Sequence, residues 1–333
     1  MRMKKYIKNI LCIAVIITMV TGMTACAGSS RANGKLSIVT TLFPQYDFAK
    51  QIAGDKAEVI LLLSPGMEAH SYDPAPSDIV RINESDLFIY TGEYMETWAS
   101  QIIKSLEKDV KILDVSEGIR LTYSEDEHGA EKHEDTDHAE DENDDHDEED
   151  HDDHAHVYDP HIWTSPVIAQ QMVGNILNEL IEIDSENEDY YRKNAERYLA
   201  ELAELDEEFR QAAENADIQT LYFADKFAMY YFTKEYSLTY VSAYDSCSSE
   251  TEPSAKLVAK MIDEVREDNA PAVFYAELSN HKAADTISKE TGTKELLLHS
   301  CHNVSKDEFE NGATYISLMK QNLENLKIGL YRE

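Results

Sequence analysis

Seven of the chain's twelve histidines fall within one short acidic segment. Between Ser124 and Asp153 this segment holds eighteen Asp or Glu, one Lys and no large apolar side chain, so we expect it to remain disordered. Because imidazole suits zinc and carboxylate is a harder, less selective ligand, the segment predicts several weak metal sites. A purely solubilising acidic insert is the alternative, although charge alone requires no histidine. The seven histidines are His128, His133, His138, His146, His151, His154 and His156.

Four further residues have the types and positions of a tighter metal site. His70 follows a predicted strand, His161 follows the acidic segment, Asp225 follows another strand, and His299 ends the last predicted strand. Four nitrogen or oxygen ligands on loops of two lobes would form a closed tetrahedral zinc site. Glu68 and Asp159 are expected to support His70 and His161 through hydrogen bonds.

Two of these four ligand positions have competitors in the sequence. His302 lies three residues beyond His299, and either ring could be the exposed one. Glu250 competes with Asp225, although a carboxylate in the first turn of the following helix explains Glu250 equally simply. Because metal binding needs neutral imidazole, affinity is expected to fall below about pH 6.5, the value for a free ring.

The elements that must position these residues alternate between strands and helices, which predicts an α/β fold with mostly parallel sheets. Strands are predicted at 35–41, 57–63, 87–91 and 110–114, and again at 220–224, 239–244, 272–278 and 295–299. Helices are predicted to follow most strands, at 43–52, 77–83, 98–106, 166–183, 227–235, 255–266, 283–291 and 312–331.

One long amphipathic helix is predicted between the two sets of strands, over residues 185–216. It contains no Gly or Pro, and its apolar positions step by three and four. We interpret it as a rigid connection between two lobes rather than as a coiled-coil arm. The apolar positions are Tyr191, Ala195, Tyr198, Leu202, Leu205 and Phe209.

The amino terminus predicts export. Residues 1–26 combine a basic start, an apolar core and a closing Thr24-Ala25-Cys26, with Cys26 as the expected lipidation site and ordinary cleavage as the alternative. Two further cysteines, Cys247 and Cys301, would remain in the exported chain. They could form a disulfide, stay as free thiols or bind metal. The net charge of −35 excludes nucleic acid and anionic lipid surfaces as natural partners. The expected organisation is a signal peptide at 1–26, a leash at 27–34, a lobe at 35–184 that includes the segment 124–156, a linking helix at 185–216 and a lobe at 217–333.

These motifs together resemble the metal-binding lipoproteins of bacterial ABC importers, the zinc/manganese class of solute-binding proteins. The resemblance covers roughly residues 36–330 and is carried by Phe43-Pro44, by Pro65-Gly66 through His70-Ser71-Tyr72-Asp73-Pro74, by the histidine-rich acidic insert, by Asp159-Pro160-His161-Ile162-Trp163 and by residues 250–254. It implies two α/β lobes joined by a long rigid helix, with the metal in the cleft between them. The histidine-rich insert is typical of the zinc-transporting members.

The resemblance also identifies a departure. Where the family usually has a third ligand, before an aromatic-rich helix, this chain reads Ala224-Asp225-Lys226-Phe227. Lys226 stands at about the ligand position, and Asp225 is the predicted substitute. His299 takes the place of the usual fourth ligand, an Asp after the last strand.

The resemblance implies an extracytoplasmic, lipid-anchored, monomeric receptor that delivers Zn²⁺ to a membrane permease with a separate ATPase. A manganese receptor of the same class, an adhesin and a zinc-buffering lipoprotein are the alternatives. An enzyme is not expected, because catalytic zinc needs an open position and a general base, and the chain contains neither His-Glu-x-x-His nor Gly-x-Ser-x-Gly.

Overall fold

The computed structural model describes residues 34–107, 109–122, 158–245 and 253–332. The expected signal peptide with Cys26, most of the leash, the histidine-rich segment, Cys247 and Glu250 lie outside the described residues. The described residues from Leu36 onwards form one compact unit. In the part of the chain that is described, no helix combines the length and the apolarity needed to cross a bilayer.

The first sheet contains four parallel strands in the order β2-β1-β3-β4. The first strand is almost entirely buried, as expected for a central parallel strand covered on both faces. Its strands are β1 Leu36–Thr40, β2 Ala57–Leu61, β3 Leu87–Tyr90 and β4 Lys111–Asp114, and its helices are α1 Phe43–Ala53, α2 Pro76–Glu84, α3 Ala99–Ser105 and α4 Pro166–Ile183.

The second sheet repeats this arrangement, with four parallel strands in the order β6-β5-β7-β8. The predicted fold class, two α/β lobes with parallel sheets and one long helix between them, is confirmed. The strands are β5 Thr220–Phe227, β6 Thr239–Asp245, β7 Ala272–Tyr275 and β8 Lys294–Leu297. The long helix is α5 Glu188–Glu214, and the remaining helices are α6 Tyr230–Glu235, α7 Ala255–Glu267, α8 Lys282–Thr291, α9 Lys306–Glu310 and α10 Tyr315–Leu330.

Helix α5 has 27 residues and forms the frame between the sheets. All six apolar positions predicted for its buried face are buried. Full burial of a large apolar side chain contributes about 1.5–3 kcal/mol, so this stripe holds the helix firmly. The helix packs against α1 and α4 on the side of the first sheet and against α10 on the side of the second. The predicted single helix differs at its start, where Ser185–Asn187 form a separate 3₁₀ turn.

Asp47 joins three helices at one buried point. Its Oδ2 accepts hydrogen bonds from the Tyr198 hydroxyl of α5 and from the backbone N–H of Tyr315, the first residue of α10, each at 2.9 Å. Burial raises the pKa of the Asp47 carboxyl. Hydrogen bonds from Gln51, Tyr315 and Tyr198 offset part of this rise. The contact satisfies one of the unpaired N–H groups at the start of α10 and fixes α1 against α5.

We expect Asp47→Ala to lower the free energy of unfolding by about 2–4 kcal/mol, because it leaves a buried hydroxyl and a buried N–H without partners. Urea denaturation monitored by circular dichroism measures this loss. The matched control is Gln51→Ala, which removes only a part-buried bond to the other Asp47 oxygen. Equal losses for the two variants would contradict the assigned role of Asp47.

Candidate metal centre

Three histidine side chains, each from a different loop, converge on one another. His70 and His161 approach with their Nε2 atoms 3.1 Å apart, and each offers one nitrogen within 4.8 Å of one from His302. Two nitrogens bound to one tetrahedral zinc at about 2.0–2.1 Å lie roughly 3.3 Å apart, so the first pair already has the span of a metal ion. His161 is fully buried, His302 is half-buried and His70 lies at the solvent-exposed rim.

Asp159 orients the ring of His161. Its Oδ1 lies 2.9 Å from His161 Nδ1 and also accepts a hydrogen bond from the His161 backbone N–H at 2.8 Å. The carboxylate therefore favours the tautomer with the proton on Nδ1, which leaves the Nε2 lone pair directed at His70. The expected support of His70 by Glu68 is different in kind, because Glu68 accepts from the backbone N–H of His70 rather than from its ring.

His302 enters the cluster through a sharp turn after β8. The strand ends at Leu297, two residues earlier than expected, and Cys301 adopts a left-handed backbone conformation with φ of 60°. This turn sends His302 towards the other two histidines, where its Nε2 is buried and has no hydrogen-bond partner among the described residues. A buried nitrogen without a partner beside two other imidazoles fits a metal-ligand role.

His299, the ligand expected from the sequence, is not one of the three converging histidines. Its Nδ1 accepts a hydrogen bond from the Cys301 N–H at 2.9 Å, and its Nε2 lies 3.7 Å from Glu308. Burial opposes protonation of His299, but Glu277 and Glu308 outweigh it and raise the pKa of the ring. His302, rather than the expected His299, lies with His70 and His161.

Hydrogen bonds from the first lobe hold the turn 299–304 in place. The indole Nε1 of Trp163, two residues after His161, donates to the Ser300 carbonyl at 2.8 Å. Asn303 Nδ2 donates to the carbonyls of Ser64 and Met67, each at 2.9 Å, in the loop that carries His70. The Gly66 N–H donates to the Val304 carbonyl at 2.8 Å. Hydrogen bonds within the protein therefore link the loops of all three histidines to one another.

Asp225 lines the same cavity as His70 and His302 but lies outside the group of converging ligand atoms. Its Oδ1 accepts from the Lys226 N–H at 2.9 Å and lies 3.4 Å from the Tyr244 hydroxyl. Its Oδ2 is buried and has no partner in the described part of the chain. The competing residue Glu250 and the seven histidines of the acidic segment lie outside the described residues.

The surroundings of His70 and His302 disfavour protonation of both rings. Burial, with repulsion from His161 and then Lys226, lowers the pKa of His70 to about 4, although its outer edge is exposed. Burial, with repulsion from His161, His70 and His299, lowers the pKa of His302 well below its usual value. Neutral imidazole is the form that binds metal, so these rings need not lose a proton before binding.

Cys301 is a free, fully buried thiol. The disulfide considered with Cys247 involves a residue outside the described part of the chain, so it stays a prediction. Burial raises the pKa of the Cys301 thiol well above its usual value, which keeps it un-ionised. A neutral thiol packed in the core is a poor metal ligand.

We expect Asn303→Ala to loosen the contact between the loops of His70 and His302. Without the two side-chain bonds to Ser64 and Met67, the Gly66 amide should exchange with solvent faster, because its bond to Val304 depends on the same contact. Hydrogen–deuterium exchange with mass spectrometry measures this effect. Asn325→Ala is the matched control, because Asn325 donates to the Leu297 carbonyl within the second lobe alone. If the Gly66 amide exchanged at the same rate in Asn303→Ala as in the unmodified protein, the inferred link between the two loops would be wrong.

Comparison with known proteins identifies the family. Residues 38–329 match the family described as "ZnuA: Zinc-uptake complex component A periplasmic". The chain is 39% identical to the high-affinity zinc uptake system protein ZnuA of Bacillus subtilis, over 93% of this chain and 92% of that one. It is 33% identical to the zinc-binding lipoprotein AdcA of Streptococcus pneumoniae, over 92% of this chain but only 58% of AdcA.

A solved structure gives the same result. The Zn(II)-bound ZnuA-like domain of Streptococcus pneumoniae AdcA superposes with a TM-score of 0.72 at 29% identity, over 90% of this chain and 100% of that domain. The match of the family over nearly the whole described fold, the two parallel sheets and the long helix lead to one conclusion. The chain belongs to the ZnuA family of zinc-uptake components.

Proposed function

We propose that this protein is an extracytoplasmic receptor that captures Zn²⁺ and delivers it to an ABC-type permease with a separate ATPase. The observation that carries this proposal is the convergence of His70, His161 and His302. Zinc is the cargo rather than a reagent. The proposal has no catalytic step, and the family membership of the chain supports a solute-binding role.

Three imidazoles, rather than carboxylates, make zinc the favoured cargo. Imidazole binds zinc well, whereas sites for manganese and other hard cations are rich in carboxylate, carbonyl and water. We therefore propose His70, His161 and His302 as the zinc ligands, with His302 in place of His299. Asp225, in the wall of the cavity, is the competing protein ligand for a fourth position.

The fastening between the loops supports a preformed site. Because Trp163 and Asn303 join the two lobes beside the histidines, a wide opening of the lobes would break buried hydrogen bonds. We infer that the permease, rather than a spontaneous hinge motion, loosens these contacts to release zinc. The lobes are proposed to comprise residues 35–184 and 217–333, with 185–216 as the link.

The parts of the chain outside the described residues complete the proposal. Cys26 is the proposed lipid anchor that keeps the receptor at the membrane surface. The histidine-rich segment is proposed to collect zinc weakly and to raise its concentration beside the tight site.

Calorimetric titration with Zn²⁺ and Mn²⁺ tests the function. We expect one tight zinc site in the chain from residue 27 onwards, retained when residues 124–156 are deleted, and weaker sites that disappear with that deletion. His302→Ala should lower the tight affinity at least about a hundredfold, because loss of an outer contact to a ligand alone costs 10–100-fold.

His299→Asn is the matched control, because the amide oxygen can replace Nδ1 as acceptor for the Cys301 N–H. It should retain tight binding. Loss of tight binding in His299→Asn together with its retention in His302→Ala would contradict the proposed ligand set, and tighter binding of Mn²⁺ than Zn²⁺ would contradict the proposed cargo.

The lowered pKa values of His70 and His302 predict that zinc affinity falls less at acidic pH than it would with three ordinary imidazoles. Three ordinary imidazoles would together lose about a thousandfold in zinc affinity one pH unit below 6.5. His70, with a pKa of about 4, and His302, with a lowered pKa, remain neutral there, so the loss should be far smaller.

Competition with a chromogenic chelator at pH 7.5 and pH 5.5, corrected for protonation of the chelator, measures this dependence. A loss of about a thousandfold or more would contradict the proposed protonation states.

A further inference from the structure

Lys226 lies in the wall of a cavity beside the three histidines. The cavity has a volume of about 620 Å³, and His70, His302 and Asp225 also line it. A single water occupies only about 30 Å³ of liquid, so the space exceeds what one metal ion and one water need. Further along the wall, Ser279, Asn280 and Lys282 provide polar groups.

An irregularity in β5 brings Lys226 to this cavity. The pairing of β5 with β6 shifts register between Phe223 and Lys226. In a regular strand, consecutive side chains point to opposite faces, so Asp225 and Lys226 would not line one space. A bulge re-aims side chains, and here both neighbours contribute to the cavity wall.

The ammonium group of Lys226 has no partner of opposite charge among the described residues. No ion pair or side-chain hydrogen bond of Lys226 occurs there. The only contact of the residue to Asp225 is through its backbone N–H. An unpaired cation next to a cation-binding site is unfavourable unless an anion joins them.

The coordination chemistry of zinc also favours an anion at this position. Zinc is almost always four-coordinate in closed sites, and the three converging histidines provide three neutral ligands. Zinc held by them retains its full double charge, with a further positive charge at Lys226. A negatively charged fourth ligand would complete the coordination and be attracted by both cations.

We propose that a small carboxylate anion is the fourth ligand of the bound zinc. One carboxylate oxygen binds the metal and the other accepts a hydrogen bond from Lys226. This inference rests on the proposed function, because it needs zinc at His70, His161 and His302. It makes the cargo a zinc–carboxylate pair, and it makes Lys226 the residue that selects the anion.

Asp225 is the rival within the chain. Its Oδ2 is buried without a partner, so a small movement of β5 would let this oxygen act as the fourth ligand instead. In that case an external carboxylate would have no open position. The experiment must therefore distinguish binding of an external carboxylate from binding of the Asp225 side chain.

Cobalt-substituted protein provides the test, because the visible absorption of Co²⁺ responds to a change of ligand. The chain from residue 27 onwards, without residues 124–156, is loaded with one Co²⁺ in perchlorate buffer and titrated with acetate at constant ionic strength. We expect a saturable spectral change. Lys226→Met should weaken acetate binding about tenfold or more, because the hydrogen bond lost is charge-assisted, and Lys226→Arg should restore much of it.

Lys282→Met is the matched control, because it removes the same charge from the same cavity wall. Its acetate affinity should equal that of the unmodified protein. An absent acetate response, or equal weakening by Lys226→Met and Lys282→Met, would overturn the proposal. An acetate response that appears only in Asp225→Asn would overturn it in favour of Asp225. Failure to bind Co²⁺ or Zn²⁺ tightly in perchlorate would instead count against the proposed receptor function.

Discussion

Three imidazole rings from separate loops pack against one another, and the rest of the site depends on this contact. The ring centroids of His70, His161 and His302 lie 4.9–5.3 Å apart, and protonation of any ring would place charge beside the other two. Burial and mutual repulsion therefore keep the pKa values of His70 and His302 low. The same packing brings one ring nitrogen of each histidine close to those of the other two, which is an arrangement that a divalent cation can fill.

Holding such rings together requires a rigid frame, because each comes from a different loop. Helix α5 provides it by packing on helices of both sheets, and Asp47 ties α1, α5 and α10 at a single carboxyl group. Trp163 and Asn303 then fix the turn of His302 to the loops of the other two histidines. Affinity in such a site comes from preorganisation, since little conformational entropy remains to be lost on binding.

Much of the fold could be predicted from the sequence, because its local signals agree with the final structure. The alternation of strands and helices, the apolar stripe of α5 and the entry of α4 at Ser165-Pro166 each follow from periodicity or capping. The short helix α9 was not predicted, although Ser305 and Glu308 form a capping box at its start. The pairing of His161 with Asp159 was predicted from their spacing and is present in the structure.

The third histidine could not be predicted in the same way. The apolar run of β8 continues into Leu298, and periodicity does not show that the strand ends at Leu297. The left-handed conformation of Cys301 has no sequence signal, since this region favours glycine or asparagine. Cys301 directly precedes His302, the ring that joins the cluster. The bulge in β5 also could not be predicted from the sequence, and it brings both Asp225 and Lys226 to the cavity.

The central claim is that one zinc ion binds where these three rings meet. Anomalous diffraction from zinc-loaded crystals, recorded on either side of the zinc absorption edge, tests it most directly. We expect a single strong peak within bonding distance of Nε2 of His70 and His161 and of a ring nitrogen of His302. A peak bound to His299, or one bound to Asp225 without His302, would contradict it.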